Sequence, residues 1–549
     1  MKTPILGSSY VARSVNAADS RMVNLFPEMV PEGGKEPAFL NRAPGLRLLA
    51  NMGDGPIRGM WQFNGHGYVV SGNVLYKVDS LFRSSPIGTV SGSPGPVSMS
   101  DNGTQLFVAC NGPSYIYNSL TLEFKQIDDP DFPGAVTVGY LNGYFVFNEP
   151  NSQRLWITAL LDGTSIDPLD FASAEGSPDG LVSLLISHRE AWLFGTNSVE
   201  VWYDSGAADF PLTPVQGSFN EIGCVAAYSV AKLDNGIFWL GADARGRGIV
   251  YRASGYTAAR ISTHAVEWQI QQYGTLSDAI AYTYQQDGHA FYVLIFPSAN
   301  TTWVYDVATS AWHERAAFIN GSFTRHRSNC QMSFSNEIVV GDHEVGNIYA
   351  FDLDVFSDDG QPQKWLRSWR ALPTGTNDLK RTAHHSLQLD AETGAIASDV
   401  FSDVFIEDVS DPDQKLLAEN GDVLVYETVG TDSLLTESGD IIVQEDGSFM
   451  YLDGSPTQIG GAILVEIGNV VSIPLDPQVM LRWSDDGGHT WSNDHWRSMG
   501  LTGQYGRRVI WRRLGMTLKL RDRVYEVSGT DPMKIAIMGA ELIASGTNG

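Results

Sequence analysis

Residues 481–492 read LRWSDDGGHTWS, and within them Ser484, Asp486, Gly488, Thr490 and Trp491 satisfy the Asp-box pattern S-x-D-x-G-x-T-W. That pattern is best known from sialidases and other sugar-cleaving β-propellers, so glycoside hydrolysis is the first chemistry to weigh. A sialidase needs an arginine cluster for the substrate carboxylate, a Tyr nucleophile and acidic partners. The box supplies none of them. Its Asp is suited to capping backbone N–H groups in a turn, and its Trp to packing beneath the hairpin. In those enzymes the boxes recur on successive blades, whereas this chain carries one. The motif is read as a structural turn.

Other signatures fail on their chemistry. GADARGRG (241–248) has Arg247 where a phosphate loop requires Lys, and no Ser or Thr follows, so it reads as a Gly-rich loop between strands. His384 and His385 are adjacent and face opposite sides of a strand, which prevents joint chelation of one metal. No zinc spacing and no GxSxG elbow occur. Paired carboxylates such as Asp128-Asp129 and Asp358-Asp359 sit in turn-like polar contexts and read as solvated loop residues. No residue is assigned to catalysis, to a cofactor or to a metal. The stretch QYGRRVIWRRLGMTLKLRDRVYEV (504–527) offers two readings. It is a surface strand whose Arg residues pair locally, or a subunit contact built on Arg507, Arg508, Trp511, Arg512 and Arg513, since Arg and Trp are favoured at interfaces.

The elements that position these residues repeat. Between residues 59 and 352 seven similar units each show an apolar strand, a short turn, an aromatic-rich second strand, a loop and a third strand ending near Tyr or Trp. The first is GMWQFNGHGYVVSGNVLYKV, and the fourth, SLLISHREAWLFGTNSVEVWY, lacks Gly in its first turn. First turns carry Asn64-Gly65, Asn102-Gly103, Asn142-Gly143, Asn235-Gly236 and Asp287-Gly288. These pairs supply the positive φ angles of a type I′ hairpin turn. A period of about 40 to 50 residues with several strands per unit marks a β-propeller, in which a closed ring buries faces that one sheet would expose. An irregular β-sandwich is the alternative.

The expected fold is all-β: a β-propeller of seven blades, or six if one unit is an extra hairpin, plus a C-terminal β-sandwich-like domain with an acidic hairpin insertion. The boundaries expected are 1–55 for an N-terminal arm and lead-in, 56–355 for the propeller, and 356–395 for a linker and the start of the second β-domain. Residues 396–463 form the insertion, with LLAENGDVLVYE and LLTESGDIIVQE as its repeats, and 464–549 complete the C-terminal domain with the Asp-box turn.

Composition limits the partners. The net charge is −27 over 549 residues. Such an acidic total argues against a protein that grips phosphates, which needs clustered cations to release counterions. The charge is uneven: Ile396 to Gly447 holds fourteen acidic residues and one Lys, whereas Met480 to Tyr525 carries a balance of +5. These patches could meet each other, within one subunit or across two. No stretch is long and apolar enough to span a membrane, and the N-terminus does not read as a secretory signal. Cys110, Cys224 and Cys330 are too few and too scattered for a disulfide framework and read as small buried residues in a reducing compartment.

SRMVNLFPEMVPEGGKEPAFLNRAPGL (20–46) resembles the N-terminal signature of bacteriophage packaged-DNA stabilisation proteins, the tail-hub or nozzle components of short-tailed phages. HHSLQLDAETG (384–394) and the segment 482–540 are similar to pieces of the same family. The acidic insertion departs from that pattern. The resemblance implies a virion tail protein without catalytic duty, assembled in the host cytoplasm. Six copies would form a homo-oligomeric ring below the portal-adaptor ring. They would extend the channel for translocating double-stranded DNA without sequence-specific contact, help retain the genome, and carry fibres, spikes or a plug. The competing expectation is a carbohydrate-active propeller, a tail-borne depolymerase or a lectin-like host-surface binder. It calls for a pocket that gathers Arg, two carboxylates and a Tyr.

Overall fold

A computed structural model describes residues 1–13, 19–31, 34, 36–174, 179–207, 210–243, 246–372, 381–393, 416–417, 423–425, 435–436, 477–500, 507–517 and 523–546. Among these the only α-helix is His264–Gln271, capped by the Thr263 hydroxyl. The rest is built from strands.

Seven sheets follow one another along 57–89, 98–126, 138–173, 181–214, 223–260, 280–325 and 328–352. Their innermost strands are joined by seven hydrogen bonds that run round in a circle. The Val97 N–H donates to Arg58 O (3.0 Å), the Val138 N–H to Ser98 Oγ (3.1 Å) and the Leu184 N–H to Thr137 Oγ1 (2.8 Å). Ser183 Oγ donates to Ala227 O (2.7 Å), Thr283 Oγ1 to Lys232 O (2.9 Å), and Tyr282 OH pairs with Ser328 Oγ (2.6 Å). Asn329 Nδ2 then reaches Ile57 O (2.9 Å), which returns the circle to the first sheet. Apolar clusters fill the gaps between neighbouring sheets, including the gap between seventh and first, where Ile57, Met60, Met332 and Phe334 meet. A closed ring thus buries both faces of each sheet, as the repeat required.

The first turns follow the expected chemistry with two shifts. Asn64-Gly65, Asn142-Gly143 and Asp287-Gly288 all have φ between 48° and 104°. In the second blade only Gly103 is left-handed, because four residues separate Asp101 from its strand partner Leu106. In the fifth, Asp234 (φ 46°) and Asn235 (φ 54°) form the turn and Gly236 already pairs with Leu233. Gly236 is needed there for clearance, since a Cβ would lie 2.8 Å from Ala253 O. The fourth unit makes its turn from His188 and Arg189, at φ 53° and 63°.

Residues 1–55 do not stand off as an arm. Gly45–Asn51 pairs antiparallel with Asn347–Asp352 and gives the seventh blade its next strand, so the end of the ring is closed by the start of the chain. Met22–Val23 lies between Ala311–Ile319 of blade six and Trp365–Arg370, and carries the blade's sheet on into Val524–Gly529, Gln478–Ser484 and His495–Ser498. Leu25–Met29 and Ala38–Arg42 extend a second sheet with Ile535–Gly546, Thr382–Thr393 and Val509–Met516. These two sheets enclose a core containing Leu25, Trp365, Trp369, Leu387, Trp511, Tyr525 and Ile537.

Within 356–395, the described residues 356–372 are likewise packed into the fold and not a free linker. Trp365 and Trp369 are both 0% exposed. At roughly 150–250 Å² per buried aromatic and about 25 cal/mol per Å², each contributes on the order of 4–6 kcal/mol to the core. Arg367 between them is buried and donates to Ile5 O (2.6 Å), and desolvation pulls its pKa down to about 9.

Residues 397–473 form a separate unit. Its described backbone is a three-stranded antiparallel sheet of Leu416–Leu417, Val423–Val425 and Leu435–Thr436. The expected ENGD and ESGD turns, and the resumption of the C-terminal domain near Ile463, lie outside the described residues.

Candidate functional site

The Asp box lies between two strands of the first sandwich sheet, Gln478–Ser484 and His495–Ser498, so its ends are fixed by the ladder. Asp486 Oδ1 accepts from Ser484 Oγ (2.7 Å), the His489 N–H (3.0 Å) and the Thr490 N–H (2.8 Å), while Oδ2 accepts from Thr490 Oγ1 (2.6 Å). Ser484 Oγ also takes the Gly488 N–H at 2.8 Å. The Thr490 hydroxyl and N–H, with Ser484 and His489, hold the Asp486 carboxyl far below the usual carboxylate range. Both carboxylate oxygens are occupied within the turn, which leaves no poised acid or base. Trp491 is half-buried under the Arg482 guanidinium, 4.7 Å from its ring centroid.

A residue that the motif leaves free does more. Asp485 receives a fork from Arg523, Nε to Oδ1 at 2.7 Å and Nη2 to Oδ2 at 2.9 Å. The same guanidinium donates to Leu514 O (2.5 Å) and Met516 O (3.3 Å), and it covers the Trp483 ring at 5.2 Å. The turn therefore pins the end of Val509–Met516, a strand of the opposite sheet. No sequence spacing announces a partner 38 residues away.

The five residues weighed as a subunit contact are split. Trp511 is 1% exposed in the sandwich core, with Nε1 donating to His495 O at 2.8 Å. Its face is turned into its own subunit. Arg507, Arg508, Arg512 and Arg513 are exposed at or beside the edge strand. Simple alternation puts Arg513 on the same face as Val509 and Trp511. A bulge intervenes: Arg512 pairs with Ser386 and Gly515 with His384, so Arg513 (φ 61°) is extruded and Leu514 turns inward.

The remaining candidates are structural. His384 is buried between Tyr525 OH (2.7 Å) and Thr382 Oγ1 (3.0 Å), whereas His385 is exposed and meets Ser545 Oγ (2.8 Å). Desolvation lowers the His384 pKa to about 3. The described residues of 241–248 lie at the facing ends of two paired strands of blade five, where Asp243 pairs with Gly246. Among the described residues no group of three or more His, Cys, Asp or Glu could hold a metal ion, and no helix is long and apolar enough to cross a membrane. Cys110 and Cys224 are buried and Cys330 is half-buried.

Two cavities stand out. One of about 660 Å³ lies beside the outer strands of blades three and four, lined by Phe171, Glu200, Trp202 and Phe219 among others. Its lining holds one carboxylate, no Arg and no Tyr. The other, of about 530 Å³, follows the axis of the ring and is bounded by the innermost strands of the blades. Arg58 and Asp101 are the charged groups of its lining. Arg58 donates to the carbonyls of Gly72, Ser91 and Gly95, and Asp101 receives Trp61 Nε1 at 2.8 Å.

Comparison with known proteins places this architecture. A family model described as Bacteriophage P22 Gp10, beta-propeller, matches residues 1–356, and a second, Bacteriophage P22 Gp10, beta-sandwich, matches residues 447–545. No curated protein matches the chain. Among solved structures, the computationally designed Ika8 protein is 12% identical with a TM-score of 0.35, covering 56% of this chain and 100% of that one. Streptogramin B lyase is 10% identical with a TM-score of 0.38, over 56% of this chain and 97% of that one. With a ring of sheets and a sandwich in the order those two family models describe, the chain belongs to the bacteriophage P22 Gp10 family of packaged-DNA stabilisation proteins, structural proteins of the phage.

Proposed function

We propose that this chain is the wall of a tail-hub or nozzle ring: six copies assemble below the portal-adaptor ring, extend the DNA channel and help retain the packaged genome. The ring forms in the host cytoplasm as part of the virion and anchors fibres, spikes or a plug. The observation that carries this reading is the continuous strand-to-strand pairing from blade six through Met22–Val23 into the sandwich. Two domains sharing one sheet have no hinge between them, which suits a wall that must hold its shape against packed DNA.

The axial cavity supports a passage between copies rather than through a subunit. At about 530 Å³ it has the volume of a small-molecule pocket, which favours DNA passing between copies. A net charge of −27 makes the wall repel phosphate, so DNA slides past instead of binding, and retention falls to a constriction or plug. Neither of these two cavities brings an Arg, a Tyr and two carboxylates together among the described residues, so neither supports the carbohydrate reading.

Imaging the purified chain, alone and in particles, tests the proposal. Closed rings surrounding a duplex-sized opening are expected. A lone molecule that cleaves glycans, or a channel lined mainly by Arg and Lys, would refute it.

A further inference from the structure

The turns between third and fourth strands of blades one to three do something their neighbours do not. Leu81, Leu120, Leu122, Leu160 and Leu161 are between 60% and 79% exposed. Phe82, Leu122 and Leu161 also adopt φ of 59° to 60°, a left-handed conformation that suits Gly or Asn and not a bulky residue. In blades five and six the corresponding turns are Gly255–Tyr256, whose Tyr is tied by its hydroxyl to Glu190, and the stretch Ala308 to Ser310, and neither carries a leucine. A turn alone needs no leucine. In blades one and two an Asx turn sets the leucine outward, Asp79 Oδ1 taking the Leu81 N–H and Asn118 Oδ1 the Leu120 N–H, each at 2.9 Å. The three turns lie on one face of the ring, each held by a first turn of the neighbouring blade: Ser335 Oγ reaches Ser80 O (2.9 Å), Asn64 Nδ2 reaches Ser119 Oγ (3.4 Å) and Asn102 Nδ2 reaches Leu161 O (3.4 Å). Exposed leucines gathered on one face of the ring mark a contact surface.

Charge and position indicate what covers it. The same three turns carry Asp79, Glu123, Asp162, Asp167 and Asp170 against one cation, Arg83, which is already paired with Asp79 at 2.8 Å. The complementary chemistry lies at the sandwich edge. There Arg508, Arg512 and Arg513 are exposed with no carboxylate partner among the described residues, beside Met516 (47% exposed) and Trp496 (51%). Met22–Val23 ties the sandwich to blade six, and in a ring of seven, blades two and three are the farthest from blade six. With the sandwich joined at blade six and the rim centred on blades two and three, the two surfaces are offered to a neighbouring copy rather than to each other. Different, complementary patches on one subunit generate head-to-tail contacts, which form a ring where the rotation between copies closes.

We infer that the leucine rim of blades one to three docks on the arginine-bearing edge strand Val509–Met516 of the next copy. This rests on the ring proposed above and names its interface. The test uses the full chain, weighed in solution by mass photometry, with two double variants: Leu120→Ser/Leu160→Ser on the rim and Arg512→Glu/Arg513→Glu on the edge. All four positions are exposed, so thermal melting should match the parent. Each variant alone should show at least a tenfold weaker association. Mixed together, they should yield heterodimers and no rings, because one intact rim then meets one intact edge. Rings from either variant at parental concentration would overturn the interface while leaving the ring reading intact, as would a mixture that stays monomeric. Loss of an adaptor or fibre protein from otherwise intact rings would give the rim a different occupant and also overturn it. A parent chain that is monomeric in solution and forms no ring in particles would remove the ring reading itself.

Discussion

Replacing Asp486 by Ala isolates what the Asp box is for. Four hydrogen bonds end on this carboxylate, two of them from the backbone N–H groups of His489 and Thr490. A net bond contributes roughly 0.5–1.5 kcal/mol. His489 and Thr490 are exposed, so water replaces the lost acceptor and the lower end applies: Asp486→Ala should cost about 2 kcal/mol. Asp486→Asn keeps an oxygen for both amides and loses the charge, which should roughly halve the effect. The sign of the pH dependence follows from the lowered pKa of Asp486. Its contribution is present above the unfolded value of about 3.9 and is lost as pH falls through the lower folded value, so parent and Ala variant converge below about pH 4. The assay is hydrogen exchange at the His489 and Thr490 amides, read beside the thermal midpoint. Faster exchange confined to this turn with a lowered midpoint is expected. Unchanged exchange and midpoint, with loss of a sugar-cleaving activity, would refute the structural reading.

Three further outcomes follow from buried groups. Arg523→Ala leaves Asp485 without its fork and frees the carbonyls of Leu514 and Met516, so it should destabilise the chain by about 3–5 kcal/mol in denaturant titration, with Lys a poor substitute for the fork. Trp369→Ala should cost roughly 3–5 kcal/mol, whereas a true linker position would tolerate it within a few tenths, as a thermal melt would show. His326 and His384 are held neutral by burial, with pKa values lowered to about 3. The unfolded chain therefore binds protons that the folded chain does not, and stability should fall as pH drops from about 6.5 toward 3. The slope is about 1.4 kcal/mol per pH unit for each histidine, and His326→Asn should remove one such increment from a stability-against-pH curve.

The seven repeats were legible because their first three strands obey simple rules. Buried apolar runs such as Gln105–Ala109 and Tyr144–Asn148 are bounded by turn residues whose φ angles the chain must satisfy. The fourth strands were not. Ser84–Thr89 and Phe124–Gln126 are mostly exposed and carry no alternation, so nothing in their composition separates them from loops. The strand closing blade seven was invisible for another reason: its partner lies about three hundred residues away, and pairing at that distance leaves no local pattern. WLRSWR was missed because a charged residue flanked by Trp resembles surface, and only carbonyls from the distant N-terminal segment make a buried Arg367 tolerable. At the Asp box the turn was legible from its motif, but Asp485 acts through Arg523, whose place depends on the packing of two sheets. Of the five residues weighed as a contact, the arginines are exposed while Trp511 is core; alternation set Arg513 on the Trp511 face because it cannot reveal the bulge there.

The use made of residues 1–51 bears on how the domains can move. Blade seven needs Gly45–Asn51 to complete its sheet, and the sandwich needs Leu25–Met29 and Ala38–Arg42 to complete its own. Arg42 fastens the junction: buried, it donates to the carbonyls of Phe356, Gln363, Asp531 and Met533. Those partners belong to the exit from the propeller and to the C-terminal strands, so no cut of the chain yields one domain with all its strands and all its polar groups satisfied. Separation would expose a sheet edge and strand a buried guanidinium, each costing several kcal/mol, and therefore relative motion of the two is resisted by the same bonds that fold them. A subunit built this way resists bending between blade six and the sandwich, because one run of paired strands joins them. On the ring proposed above, the contact between copies, and not a hinge inside one, is where adjustment to passing DNA would fall.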